Sequence, residues 1–491
     1  MSNFKEWVPN GIRFWIYILI LAAFQFTNGI YFTAMPNMVG SLSITLNDTK
    51  LISYAMFTGL TLYFPLAFRL KFRFTSRTSL TIAAVGLILC NFVVPYTSSV
   101  PLLVIISFIA GFLRLYGTFE CLSTLLPKVT PKHNYAVFLS FVFFVVLGVI
   151  NLFDIISMQI IYYYDWHILH HIAICILIVV ILIASILMQH FRIKPKMPLL
   201  DIDWLGMILW AIFILGVMFI IQYGEQMNWF ASPYLRVVAG ITTLALAFNI
   251  YKIVYTRNPF IELGALKTRN LFNLMLLFLF LGIFLSVKNV LQSRFIGAVL
   301  DLDQLHNASL KWLEFLGSFL GTLFAWFTLT RLQWSKKLLL FIGMSAVVLY
   351  VGLSYFIITP YTSIQMLYLP LILLGFGQLV VFISLTVYAQ ATTPFNYYFQ
   401  VLALLGFIRT GVASPIGDTI LNRAMTGLMS KHLSTVGVGS NALLLSLKEL
   451  YGWVFIFGII VLILIAISRF KKYIPRPIPS FMRLTKLFTQ F

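Results

Sequence analysis

Fourteen stretches of this 491-residue chain are apolar over 18 to 27 positions, at 14–35, 51–68, 79–96, 101–126, 135–161, 168–189, 204–222, 234–255, 271–294, 309–330, 338–358, 364–390, 397–421 and 452–469. A helix crossing a hydrocarbon layer needs roughly 20 such residues. In lipid each crossing must satisfy its own backbone N–H and C=O groups, which a helix does and an open strand does not. The chain is therefore expected to be an all-α polytopic membrane protein. Composition agrees, with 60% hydrophobic and only 10% charged residues against roughly 25% charged in soluble domains. Water-soluble enzymes and disordered proteins are excluded.

The basic residues supply an orientation. With the N-terminus placed inside, the inner connections and tail hold 24 of the 34 Lys and Arg residues, and the outer ones hold 7. Insertion machinery reads such a bias directly, so both termini are expected on the cytoplasmic side of an inner (plasma) membrane. The formal net charge of +20 then reports topology. No basic run interleaved with stacking aromatics lies outside the apolar segments, which argues against nucleic acid as a partner. Cys90, Cys121 and Cys175 fall in apolar stretches without metal or disulfide spacing. The first segment has no small-residue cleavage site and reads as a retained helix.

Two basic linkers, 190–203 after segment 6 and 255–270 after segment 8, cut the chain into six helices, a pair and six helices. The corresponding units are 1–196, 197–258 and 259–491, the last ending in a basic tail. The longest outer connection, about 422–451, reads as a loop rich in Gly, Ser and Leu. No connection is large enough for a soluble catalytic domain.

Several local strings resemble the fourteen-helix drug:proton antiporter branch of the major facilitator superfamily. Asp203-Trp204-Leu205-Gly206 opens segment 7 as that branch's Asp-Trp-Leu-Gly does, and Gly224-Glu225 with Trp229-Phe230 and Ser232 is similar to its next loop. Asn258-Pro259-Phe260-Ile261-Glu262-Leu263 followed by Arg269-Asn270 resembles the approach to segment 9. Phe407-Ile408-Arg409 with Gly411 and Gly417 resembles the segment 13 motif. The resemblance implies two six-helix bundles plus a central helix pair, with segments 1, 4, 9 and 12 lining a cavity and 5, 10 and 13 flanking it. The departures are specific. The loop between segments 2 and 3 keeps Arg69, Lys71, Arg73 and Arg77 but lacks the family's Gly and Asp. The acidic position of segment 1 falls near Thr27. The arginine position of segment 4 falls at Ser107, two turns from Arg114. The Gly-Pro-rich stretch of segment 5 retains only Gly148.

Charges inside spans cost at least roughly 2.5–3.5 kcal/mol each and mark function by default. Asp154, Glu120 and Glu314 are the proton-coupling candidates. Arg114 and Lys288, with the polar Gln25, Asn28, Gln292 and Gln378, are the cavity candidates; Gln390 is a further polar position. Arg409, which matches the family arginine, is assigned to gating together with Arg69 and Arg73. At about 1.5 Å per residue, Lys288 and Glu314 lie at similar depth and can pair, whereas Arg114 reaches Asp154 only at full extension. Arg409 and Asp418 project to opposite faces, and Asp418 reads as wet. Asp165-Trp166-His167 with His170-His171 sits where the family carries a Trp-Arg-Trp string and reads as structural rather than as a metal site, so no metal or cofactor is expected.

These features predict a secondary transporter exporting hydrophobic or amphipathic small molecules by proton antiport, with rocking bundles around a midplane site. Its partners would be a small-molecule substrate, protons, the lipid bilayer, and in an efflux assembly a periplasmic adaptor and outer-membrane channel. The competing readings are a membrane-embedded enzyme on lipid-linked substrates, which would need acids clustered at one interface, and a non-transporting partner subunit.

Overall fold

The computed structural model describes residues 3–130, 134–191, 196–199, 202–268, 270–302, 304–436 and 439–468, excluding the side chains at 28–32, 35, 36, 135, 304, 435 and 436. The Asn28 side chain, Arg269, much of the 190–203 linker and the basic tail lie outside the described residues.

Fourteen helices correspond to the fourteen apolar segments, and no strand is formed among the described residues. They are α1 (Asn10–Thr33), α2 (Leu46–Arg73), α3 (Ser76–Tyr96), α4 (Val100–Val129), α5 (Ala136–Tyr163), α6 (Trp166–Leu187) and α7 (Trp204–Tyr223). The remainder are α8 (Pro233–Tyr255), α9 (Leu271–Val299), α10 (Leu305–Thr330), α11 (Lys336–Ile357), α12 (Ile364–Thr392), α13 (Phe395–Ser434) and α14 (Gly439–Ile467). We call the side bearing the Lys- and Arg-rich connections the basic face, and its opposite the far face.

Two bundles of six repeat one packing plan. In the first, α2 crosses α4 at backbone contact, because Gly59 and Gly111 face each other's helix. A Cβ on Gly59 would sit 1.9 Å from the Phe108 carbonyl oxygen, and one on Gly111 only 1.8 Å from that of Met56. The second and fourth helices of the other bundle, α10 and α12, meet the same way. There Gly317 would meet the Ile372 oxygen at 2.1 Å and Gly375 the Glu314 oxygen at 2.2 Å. Small residues let membrane helices approach this closely and gain dispersion contact that hydrophobicity cannot supply in lipid. The pattern continues outward: α3 packs on α6, and α11 packs on α14.

The bundles touch along two seams. In one, α5 lies against α10 and α12; in the other, α2 lies against α13. The central pair, α7 and α8, attaches beside the second seam, with α7 packed on α2 and α13. The Asp-Trp-Leu-Gly string has a mechanical reason there. Asp203 caps α7 by accepting from the Gly206 N–H at 2.9 Å, and it also pairs with Lys252 of α8 and accepts from the Phe260 N–H. A Cβ on Gly206 would lie 2.2 Å from the Asp203 carboxylate, so the cap needs glycine at that position.

Three sequence expectations are corrected. Within the 422–451 connection, 422–436 and 439–451 are helical rather than loop, and across the two helices His432 and Glu449 are 3.0 Å apart. Leu421, Met425 and Leu428 are buried on one side of it, a period-3.6 stripe hidden among Gly and Ser. Arg69, Lys71 and Arg73 belong to the last turns of α2 rather than to a loop. Lys50 and Lys311, two of the seven basic residues counted to the outer connections, lie within α2 and α10 and reach the buried Asp418 and the half-buried Asp154.

The segment before α1 is tied down. Lys5 N–H donates to the Leu187 carbonyl and Gln189 N–H to that of Asn3, an antiparallel bridge to the end of α6. Asn3 donates to Tyr17 and Ser76, and Phe4 is buried edge-on against Tyr17.

Candidate functional site

Four of the ionisable groups inside the spans gather around the seam between α5 and α10. Asp154, on α5 in the first bundle, lies 4.0 Å from the Lys311 ammonium on α10 in the second. It also accepts a hydrogen bond from Thr33 of α1 at 3.3 Å. One turn along α10, Glu314 pairs with Lys288 of α9, as their matching depth predicts. Asn151 of α5 adds a weak 3.5 Å contact to Ser318 of α10 across the same seam. These four charges thus form one chain from α5 through α10 to α9. Each lies roughly 9–17 Å from the far end of its helix, at 1.5 Å per residue.

The neighbouring cation is Arg114, 3% exposed. The sequence allowed a stretched bond to Asp154; the guanidinium instead donates to Gln25 of α1 at 2.9 Å, and Gln25 donates to Thr118 at 2.9 Å. Lysine from the facing bundle takes the carboxylate because it arrives at the same depth. Arg409 lies over the Phe382 ring at 4.5 Å, clear of Asp418 as its spacing requires. A guanidinium over an aromatic face gains electrostatic attraction without a counter-ion. Phe382 in turn stacks on Phe143 of α5 at 6.0 Å and meets Phe278 of α9 at 6.2 Å, so this aromatic shelf spans both bundles.

Backbone irregularity marks the same places. Phe144–Gly148, Lys288–Gln292, Phe295–Val299 and Phe407–Ala413 are π-helical. Such widened turns arise at functional positions more often than by chance. Here they fall beside the shelf, at Lys288 and at Arg409.

Other candidates separate from this group. Glu120, 1% exposed, pairs with Lys71 at the basic end of the first bundle, entirely between α2 and α4. Gln292 accepts from the Tyr350 hydroxyl at 2.7 Å and lines a narrow cleft of about 10 Å³ inside the second bundle with Ser354, Pro370 and Tyr451. Gln378 is half-buried on α12, and Gln390 is buried near its basic end. Arg73 reaches the Met197 carbonyl at 3.5 Å, and Arg69 is half-buried beside it. Asp418 is a correction: it is 3% exposed rather than wet, 3.4 Å from Lys50, and accepts from Tyr54 at 3.2 Å. Trp166 is buried behind its Asp165 cap, and His170 shares a 3.0 Å hydrogen bond with Asn91. No group of three metal-binding side chains occurs among the described residues.

The seams are closed differently at the two faces. In the far half, each seam carries an ion pair between bundles, Asp154–Lys311 in one and Lys50–Asp418 in the other. In the basic half the closures are aromatic. Phe399 of α13 meets Phe68 at 4.7 Å, Phe119 at 5.7 Å and Phe64 at 6.4 Å, while Phe143 and Phe382 close the other seam. Lys311, Lys50 and Thr33 were not among the sequence candidates. The signal available for the lysines was their proximity to apolar segment ends, Lys50 one residue before segment 2 and Lys311 two residues inside segment 10.

No family model and no curated protein matches the sequence. Solved structures do match along nearly the whole chain. An auto-inhibited POT family peptide transporter aligns at TM-score 0.61 and 16% identity, covering 96% of this chain and 99% of that one. The nucleoside transporter NupG, in a point-mutant form, aligns at 0.58 and 12%, covering 92% and 98%. The POT family transporter PepTSo aligns at 0.55 and 15%, covering 93% and 98%. With its fourteen apolar helices, the chain is a multi-pass membrane protein of the major facilitator fold.

Proposed function

We propose that the protein is a proton-coupled secondary transporter of amphipathic small molecules, a divergent relative of the drug:proton antiporter branch that moves its substrate outward. Units 1–196 and 259–491 would be the rocking bundles and 197–258 an accessory pair. The basic face would be cytoplasmic. The observation that carries this reading is the Asp154–Lys311 contact, a carboxylate of one bundle held by an ammonium of the other at membrane depth. Rocking must break that contact, and a carboxylate losing its cation gains affinity for a proton. Proton binding and bundle motion are thereby linked through one residue. Glu314, held by Lys288 of α9, is the second carrier. Glu120 is assigned a structural role, because its partner lies within its own bundle and rocking leaves that pair intact. The charges of Asp154 and Glu314 come from different bundles, unlike the interfacial acid cluster that an enzyme on lipid-linked substrates needs.

The test uses purified protein in vesicles with a pH dye inside and a panel of amphipathic fluorophores of either charge. At least one fluorophore should move with a stoichiometric opposite proton flux, and collapse of the pH gradient should stop accumulation. Asp154→Asn should abolish the proton flux. Substrate movement with unchanged proton flux in Asp154→Asn and Glu314→Gln would overturn the coupling role.

A further inference from the structure

The central pair is fastened at both faces, and to different bundles. At the far face α7 ends against the first turn of α2, in the first bundle. Gln222 donates to Asn47 at 2.7 Å, Asn47 donates to Gln226 at 3.1 Å, and the Tyr223 hydroxyl donates to Asp48. Asp48 is a fixed target, because it closes the capping box of that turn with Thr45. Gln222 is 8% exposed, so its hydrogen bond is shielded from competing water. Toward the second bundle the same end makes a longer contact, Thr419 of α13 donating to the Ile221 carbonyl at 3.4 Å.

At the basic face the preference reverses. Asp203, which caps α7 and holds Lys252 of α8, accepts from the Phe260 N–H at 3.2 Å. Phe260 and Ile261 are buried, and the next residue is locked to α13 by a reciprocal pair. Glu262 N–H donates to the Gln400 side chain at 2.9 Å, and Gln400 donates back to the Glu262 carboxylate at 3.1 Å. Gly264 continues that packing, since a Cβ there would lie 2.4 Å from the Tyr397 ring. Toward the first bundle, the described residues of 197–203 offer a weak hydrogen bond, 3.5 Å from Arg73 to the Met197 carbonyl.

We infer that α7 and α8 form a crossbar whose far end travels with the first bundle and whose basic end travels with the second, so that the pair swings across the α2–α13 seam as the bundles rock. At each face the stronger set of hydrogen bonds holds and the weaker parts. Near the middle of α7, Phe213 meets Phe407 of α13 at 5.7 Å. An apolar contact is non-directional, so the rings can turn on each other as a pivot. The inference rests on the rocking-bundle reading and gives the accessory pair a part in it.

Pulsed dipolar distances on the intact protein in nanodiscs test it, in a background without Cys90, Cys121 and Cys175. Spin labels are placed pairwise at Ser98, Ala231 and Tyr361 on the far face and at Lys128, Thr256 and Arg331 on the basic face, all exposed. Wild type, Asp154→Asn and Asp418→Asn supply the bundle motion. Where the 98–361 distance splits, 231–361 should split with it and 98–231 should stay single. Where 128–331 splits, 128–256 should follow and 256–331 should stay single. Asn47→Leu removes two of the far bonds, weakening that attachment about tenfold or more, and should give 98–231 a second, longer distance; Thr419→Val should not. The parent distances decide the matter even where Asn47→Leu does not fold. A central label that keeps to one bundle at both faces overturns the crossbar and leaves rocking intact. Single 98–361 and 128–331 distances in all three proteins would sink the rocking reading and the crossbar with it.

Discussion

Neutralising Asp154 should release the far side of the α5–α10 seam. Two unit charges 4.0 Å apart attract by about 4 kcal/mol at an effective dielectric near 20. The side chains are 14% and 17% exposed, so partial screening leaves about 2 kcal/mol, equivalent to roughly a 30-fold change in an equilibrium. Asp154→Asn and Lys311→Gln should each shift the population toward a far-open arrangement by that factor. The double variant should shift it no further, because a single contact has been removed. Spin labels at Tyr163 and Ser309, both exposed near the far ends of α5 and α10, report the opening as a new long-distance component in a pulsed dipolar measurement. The native Cys90, Cys121 and Cys175 are replaced beforehand. A coupling near 2 kcal/mol from the double-mutant cycle is expected. Unchanged distances in the single variants, or shifts that simply add in the double, would refute the idea that this pair holds the bundles together.

Further predictions concern the scaffold. Lys71→Met leaves Glu120 buried without its cation and should cost roughly 3–5 kcal/mol, seen as early thermal unfolding in detergent; adding Glu120→Gln should restore most of the loss. Gly111→Ala and Gly375→Ala should each prevent recovery of monodisperse protein, since the new methyl lands about 2 Å from a carbonyl oxygen, whereas Gly240→Ala, with nothing within 4 Å, should leave size-exclusion profiles unchanged. Asp418→Asn should weaken the other far-side latch, and combined with Asp154→Asn should open the far side more than either alone, because the pairs lie in different seams. Asn3→Leu removes hydrogen bonds to Tyr17 and Ser76 and should cost about 1–3 kcal/mol, measured as a lower unfolding midpoint.

The number and order of the crossings were legible because hydropathy over roughly twenty residues is a strong and local signal. The Lys288–Glu314 pair was legible because depth along a helix is arithmetic. Lys311 was not, because a charge two residues inside the start of the 309–330 stretch was counted with the outer connection, whereas the structure begins α10 at Leu305 and places it within the helix. The helix beyond 421 escaped because Gly, Ser and Thr dilute the stripe of Leu421, Met425 and Leu428 that packs it. The π-helical turns at Lys288 and Arg409 have no sequence signature at all. They are set by how neighbouring helices force an extra residue into a turn. Gly375 and Gly377 form a small-residue packing patch on α12, with Gly377 against the Gly343 carbonyl.

Ionic latches on one side and stacked rings on the other give the two halves of a rocking cycle different thermodynamic signatures. Parting the far side separates charges that incoming water and ions can solvate, so that step should quicken with ionic strength and respond weakly to temperature. Parting the basic side wets phenyl rings, which raises heat capacity and makes the step's enthalpy change steeply on warming. A cooled sample would therefore not slow both gates alike, and its resting population would drift from one orientation to the other with no ligand added.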